Sequence, residues 1–236
     1  MKKKLLTICL IIATITSFAQ SSQKSTVAFG IKGGINFASL LQTEEGSSNS
    51  ISSSSLASFQ AGIFADFKFG DSFSVQPSLL YTGKGATDKE NVSSEGFSES
   101  SNVKLTLNYL QLPIYALYHK PVGNNDFFIG AGPFIAYGLS GKEKGSATET
   151  FEQPVPPNEE TTVTRTSAID DKVSFGDSDT SDVKRVDYGV SAIIGFKFNN
   201  GFLISAYYDL GLANIAPASD ADIKTRVFGV SVGYSF

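Results

Sequence analysis

Residues 225–236, Thr-Arg-Val-Phe-Gly-Val-Ser-Val-Gly-Tyr-Ser-Phe, decide how the rest of the chain is read. Phe228, Val230, Val232, Tyr234 and Phe236 occupy the even positions, with Gly229, Ser231, Gly233 and Ser235 between them. That strict period of two makes one face of a strand apolar and the other small and polar. The last residue of the sequence is aromatic. An apolar strand left as a bare edge invites pairing with other chains, so this one is expected to pair with an earlier strand and close the sheet into a barrel.

Seven further segments alternate in the same way. Val27, Phe29, Ile31, Ile35 and Phe37 share one face opposite Lys32 and Asn36. Phe59, Ala61, Ile63, Ala65, Phe67 and Phe69 stand opposite Ser58, Gln60, Gly62, Asp66 and Lys68. After a turn at Gly70-Asp71 come Phe73, Val75, Pro77, Leu79 and Tyr81, where Pro77 cannot donate a ladder hydrogen bond and a bulge or local distortion is expected. Val103, Leu105, Leu107 and Tyr109 start a fourth strand on its apolar face. Its phase then passes to Leu110, Leu112, Ile114, Ala116 and Tyr118, as one extra residue near Tyr109-Leu110 would bring about. Phe127, Ile129, Ala131, Pro133, Ile135, Tyr137 and Leu139 form the fifth set, with Gly130, Gly132 and Gly138 leaving room inside. Val186 to Phe198 and Phe202 to Leu212 supply two more, joined by the hairpin signal Asn199-Asn200-Gly201.

Three long polar stretches without periodicity, at about 39–56, 85–101 and 141–182, read as irregular loops. The connections therefore run long, short, long, short, long, short, medium, which sorts long loops to one end and tight turns to the other. Eight strands of roughly ten residues each suit tilted membrane crossings. Threaded up and down, Tyr81, Tyr109, Tyr137, Tyr188 and Tyr208 fall towards the loop end. Phe69, Tyr118, Phe127, Phe198, Phe202, Tyr234 and Phe236 fall towards the turn end. Two aromatic belts around an aliphatic band match the two interfaces of a bilayer. The fold class is all-β: an eight-stranded antiparallel up-and-down transmembrane β-barrel.

Residues 1–19 read as a secretory signal peptide, with Lys2, Lys3 and Lys4, an apolar run, and Ser17-Phe18-Ala19 as the cleavage site. Residues 20–236 form the barrel domain. The single cysteine, Cys9, lies in the leader, which leaves the exported part without a thiol or disulfide. Removal of the three lysines takes the net charge from −4 to −7, a poor match for nucleic acid. With 19 Phe, 9 Tyr, 22 Gly and no Trp, the composition favours strands and tight turns.

The segment Tyr109-Leu110-Gln111-Leu112-Pro113-Ile114, followed by Gly130-Ala131-Gly132-Pro133, resembles the PorT-type outer-membrane β-barrel family of Bacteroidetes. The motif positions are Tyr109, Leu110, Leu112, Pro113, Gly130, Gly132 and Pro133. The closing strand, with Phe228, Val230, Val232, Tyr234 and Phe236, is similar to the assembly signal of bacterial outer-membrane barrels. The resemblance implies location in the bacterial outer membrane after passage through the periplasm. It also implies contact with periplasmic chaperones and the barrel-assembly machinery, and with outer-membrane lipids or lipopolysaccharide. An extracellular or secretion-system protein partner, met through the long loops, is a further expectation.

Charges at Lys32, Asp66, Lys68, Lys84, Arg185, Asp187, Asp209 and Arg226 are expected to face the lumen, which eight strands just fill with side chains. They read as a paired internal network rather than an ion path. His119, the only histidine, lies beside the turn at Pro121, at the end away from the long loops. No catalytic triad at the outer leaflet and no transition-metal cluster can be built on it. The run Asp177 to Asp182 lacks the Gly and distant Glu of a calcium loop. No catalytic, cofactor or metal residues are assigned. The expected function is non-enzymatic, a structural, surface-interaction or secretion-accessory role through the loops. A narrow porin-like pore and a secreted lipocalin-like ligand-binding barrel are the alternatives.

Overall fold

The computed structural model describes residues 27–44, 50–94, 97–155, 159–176, 181–217 and 221–236, none of them helical. The expected leader, with Cys9, lies outside these residues, as do Asp177, Ser178, Asp179 and Thr180 of the acidic run. The strands are β1 (Val27–Glu44), β2 (Ser50–Ser52), β3 (Leu56–Phe69), β4 (Phe73–Ser94), β5 (Phe97–Val122), β6 (Asn125–Val155), β7 (Glu159–Val173), β8 (Val186–Lys197), β9 (Phe202–Gly211) and β10 (Ala221–Ser235).

Eight of them form a closed ring of antiparallel neighbours in the order β1-β3-β4-β5-β6-β8-β9-β10, and β10 returns to β1. The closing ladder runs from Gly30↔Ser235 to Glu44↔Ala221 without a break, and Phe236 donates its backbone N–H to Phe29 O at 2.8 Å. β2 pairs only with β1, and β7 only with β6, so these two stand outside the ring. Strand pairing around a circle leaves no edge in the cylinder.

The apolar alternation points outward. Ile63, Phe29, Ile35 and Val232 are 58%, 62%, 57% and 48% exposed, whereas Asp66, Lys84, Asp187 and Asp209 are at most 3% exposed. The polar side chains are thus inside and the aliphatic ones outside, the reverse of a water-soluble core. A secreted ligand-binding barrel would need the opposite distribution. Exposed aromatic rings gather at both ends of the band: Phe59–Tyr81 at one, Phe73–Tyr118, Phe198–Phe202 and Tyr234–Phe236 at the other. Tight turns close the latter end, where Gly123 (φ 61°) and Gly201 (φ 88°) take the left-handed backbone that these turns need.

Two expectations from sequence are corrected. The stretches 39–56, 85–101 and 141–182 are largely not irregular. β1 continues to Glu44, β4 and β5 pair up to Ser94↔Phe97, and β6 and β7 pair up to Val155↔Glu159. Above the barrel both faces of a strand meet water, so apolar alternation disappears. The hydrogen-bond ladder of an already formed hairpin continues regardless, on Ser and Thr residues that suit a pleated surface.

The extra residue is Leu139 in β6, not one near Tyr109-Leu110: Asn108 pairs with Ser140 and Tyr109 with Gly138, while the β4–β5 ladder runs unbroken from Leu80↔Gln111 to Ser94↔Phe97. β5 therefore keeps one phase throughout, and Leu105, Leu107 and Tyr109 point inward, Tyr109 with 0% exposure. At Pro77 the expected local distortion is present: the β3–β4 ladder is interrupted between Phe64↔Ser78 and Phe67↔Val75, with the register unchanged and therefore no bulge.

Candidate functional site

The lumen is filled in layers. At the turn end, His119 on β5 lies between Ser74 on β4 and Asp126 on β6, with Nε2 2.7 Å from Ser74 Oγ and Nδ1 2.7 Å from Asp126 Oδ2. A carboxylate only accepts, so Nδ1–H donates to Asp126, and in the neutral ring Nε2 accepts the Ser74 hydroxyl. This Ser–His–Asp relay was not foreseen from sequence, because its members are 45 and 7 residues apart and only the β4–β5–β6 register joins them. Ser74 is 2% exposed and packed into the wall. Lys197 donates to Ser235 Oγ at 2.9 Å, and a cavity of about 340 Å³ at this mouth is lined by Lys68, Asp126 and Lys197.

Midway, Asp209 Oδ2 accepts from Gln111 Nε2 at 2.8 Å and Asp209 Oδ1 from the Ser191 hydroxyl, which is itself 2.9 Å from Tyr115 OH. Lys32 places its ammonium 5.4 Å from the Tyr115 ring centre and 5.9 Å from that of Phe64. Asn36 donates to Thr82 Oγ1 at 2.9 Å and accepts from Tyr207 OH. Asp66 is buried with its Oδ1 free of hydrogen-bond partners.

Above this, Lys84 Nζ meets Asp187 Oδ2 at 2.8 Å with both side chains fully buried, and Thr225 Oγ1 donates to the same oxygen at 2.8 Å. The ammonium also lies 4.4 Å from the Phe134 ring centre. Removing one member of such a pair leaves an uncompensated buried charge, a cost of about 3–5 kcal/mol.

An apolar cork covers the network. Leu107, Tyr109, Phe134 and Ala136 on the strands cluster with Val183 and Ile215 from the segments after β7 and β9. Phe175 stands edge-on to Tyr109, with ring centres 5.7 Å apart. Gly138 makes room for it, since a Cβ there would fall 2.5 Å from the Phe175 ring. Arg185 ties the cork down: its Nη2 donates to Phe175 O at 2.6 Å, and Gly138 N–H donates to Arg185 O at 2.7 Å. Asp182 accepts from the backbone N–H of Ser174 at 2.7 Å and from its hydroxyl at 2.8 Å, and these bonds hold its carboxyl below the usual carboxylate range.

Of the charges expected inside, Lys32, Asp66, Lys84, Asp187 and Asp209 are buried in the lumen, Lys68 is half-buried at its turn-end mouth, and Arg185 is half-buried at the opposite one. Arg226 is not inside. It shares the phase of Phe228 and Val230, and its Nη1 donates to Gly211 O and Thr225 O. The strand alternates through it, so Thr225 and Val227, not Arg226, take the inward positions. Leu110, Leu112 and Pro133 face outward, whereas Tyr109 and Pro113 face inward with Gly130 and Gly132. Phe228, Val230, Val232, Tyr234 and Phe236 all lie on the outer surface. Among the described residues, no group of three His, Cys, Asp or Glu side chains is placed to hold a metal ion.

Beyond the ring, β4, β5, β6 and β7 continue as a four-stranded arm. Its inward face carries Val103, Leu105, Phe151, Val163 and Ile169 with acids, and its outward face lysines, serines and threonines.

Residues 18–216 match the family model described as an outer membrane protein beta-barrel domain. No curated protein matches the sequence. Among solved structures the chain is similar to neisserial surface protein A (10% identity, TM-score 0.41, covering 89% of this chain and 99% of that one). It is also similar to Ail, the attachment invasion locus protein of Yersinia pestis (13%, 0.36, 88% and 98%), and to OprG from Pseudomonas aeruginosa (10%, 0.35, 90% and 97%).

Proposed function

The chain belongs to the outer membrane protein β-barrel domain family, and from that premise we propose that it is a sealed, non-enzymatic barrel of the bacterial outer membrane that presents its β4–β7 arm to an extracellular or secretion-system protein. The observation that carries this reading is the contrast between a lumen closed by the Lys84–Asp187 pair and the Phe175–Ile215 cork, and an arm standing clear of the barrel. The resemblance of the Tyr109–Pro113 and Gly130–Pro133 motifs to PorT-type barrels of Bacteroidetes supports a small outer-membrane barrel, and the secretion-accessory role rests on the arm alone. Export through the leader at residues 1–19, and insertion by the assembly machinery with periplasmic chaperones, belong to the same reading.

Planar-bilayer recording tests the seal: the protein is expected to give no discrete conductance steps, and regular steps would favour the porin-like alternative. Binding of labelled cells or secreted protein to the full chain and to a chain lacking the paired part of β6 and β7 tests the arm. Undiminished binding would end its assignment. Catalysis at Ser74 is set aside on its burial in the wall. A fluorophosphonate probe is expected to leave the folded protein unlabelled, and labelling that is lost in Ser74→Ala would overturn the non-enzymatic reading.

A further inference from the structure

The outward face of the arm holds an unusual arrangement of charge. Because the β4–β5 ladder is unbroken, Lys89 lies on the same face as Tyr81, and Lys104 on the face of Leu110 and Leu112. The extra residue Leu139 reverses the phase of β6, and so brings Lys142 and Lys144 onto that face rather than Gly141 and Glu143. The β6–β7 ladder then adds Lys172 and Asp170. Three consecutive cross-strand rows hold all of these: Thr106, Lys142 and Lys172; Lys104, Lys144 and Asp170; Lys89, Asn102 and Ser146. With strands about 4.8 Å apart and same-face residues about 7 Å apart, the patch measures roughly 14 Å on a side.

Two of these contacts are like charges directly opposite one another, Lys104↔Lys144 and Lys142↔Lys172. Such pairs destabilise a sheet. One acid in the patch answers five lysines, and Asp170 Oδ1 already pairs with Lys142 Nζ at 2.7 Å. Shortage of acid is not the reason, since the chain is acidic overall. Asp88, Glu90, Glu99, Glu143, Glu149 and Asp171 belong to the same arm strands but fall on the opposite face. An anion among the lysines removes the repulsion.

The position of the patch identifies the anion. It lies on the side of the arm that continues the lipid-facing surface, starting three residues beyond Leu139, 48% exposed in the apolar band. At about 3.3 Å per residue and a tilt of about 40°, the backbone of the three rows stands roughly 8, 13 and 18 Å above Leu139, so the lowest row lies at the edge of the outer leaflet's polar headgroup layer, about 5–8 Å deep, and the upper two stand above it. Lys side chains are compact point charges on flexible stems that reach along an interface towards phosphate. We propose that Lys89, Lys104, Lys142, Lys144 and Lys172 form a binding site for the phosphate groups of outer-leaflet glycolipid, anchoring the base of the arm against the membrane surface.

The inference needs the placement of the barrel in the membrane but not the partner-binding role of the arm, so each can fail without the other. Native mass spectrometry of the full chain in detergent, with phosphorylated lipid A and its dephosphorylated form as probes, tests it directly. The expected result is a complex with the phosphorylated form at least 10-fold more abundant than with the other. It should weaken about 10-fold or more in Lys104→Gln/Lys142→Gln/Lys144→Gln and be unchanged in Arg165→Gln, which alters charge on the inward face. Heat-dependent gel migration verifies that each variant is folded. Equal binding of both lipids, or an unaffected triple variant, would overturn the site. Displacement of the lipid by inorganic phosphate at equal phosphate concentration would overturn the glycolipid as its source.

Discussion

Strand β5 crosses two solvents, and its two faces exchange roles between them. Within the barrel, Leu110, Leu112, Ile114 and Tyr118 face outward while Gln111, Tyr115 and His119 face inward. In the arm the outward face holds Lys104 and Thr106, and the inward one Val103 and Leu105. The phase is unbroken from one part to the other, so the change lies in the residues and not in the backbone. Lipid outside and a polar filling inside dictate the first pattern; water on both sides, with a headgroup layer at the base, suits the second. A single ladder can serve both because its hydrogen bonds do not depend on which face is greasy.

The comparison makes the barrel intolerant and the arm forgiving. Lys84→Ala strands Asp187 in the lumen and is expected to cost about 3–5 kcal/mol in reversible unfolding from lipid vesicles. A stability equal to wild type would show that water reaches the pair. Ile63→Arg, midway between the two aromatic belts, is expected to cost about 2–4 kcal/mol in the same assay, because it places a charge in hydrocarbon. In the arm, Thr166→Val breaks the exposed hydroxyl contact with Thr148 at 3.2 Å and should cost less than about 1 kcal/mol.

The cork gives a pH test with a definite sign. Hydrogen bonds from Ser174 depress the Asp182 carboxyl, so the stability it contributes is complete above its unfolded value and is lost as pH falls through the lowered one. The protection of the Ser174 amide, its exchange rate relative to the unfolded chain at the same pH, is expected to hold from neutral pH down through the ordinary carboxylate range and to fall only in stronger acid. In Asp182→Asn that protection should no longer change with pH over this window.

The cylinder was legible in the sequence because lipid demands a period-two signal in every crossing. The ring order, the tight turns and the buried positions of Lys32, Asp66, Lys84, Asp187 and Asp209 all followed from it. The arm was not legible: once both faces meet water, Ser and Thr carry no phase, so paired strands looked like loops. Tyr109 deceived for a related reason, since Leu105, Leu107 and Tyr109 are apolar residues that serve the cork rather than the lipid. The Ser74–His119–Asp126 relay depends on register across three strands, and nothing local announces it.

Closure of the ring underlies everything else, and a cysteine pair tests it in a chain whose single native cysteine, Cys9, lies outside the described residues. Ile35 on β1 and Val230 on β10 face each other across the closing ladder, both outward. Ile35→Cys with Val230→Cys is expected to form a disulfide in the outer membrane and to hold β1 to β10 on non-reducing gels after denaturation. Two cysteines that stay free to alkylating reagent while the protein remains folded would contradict the barrel.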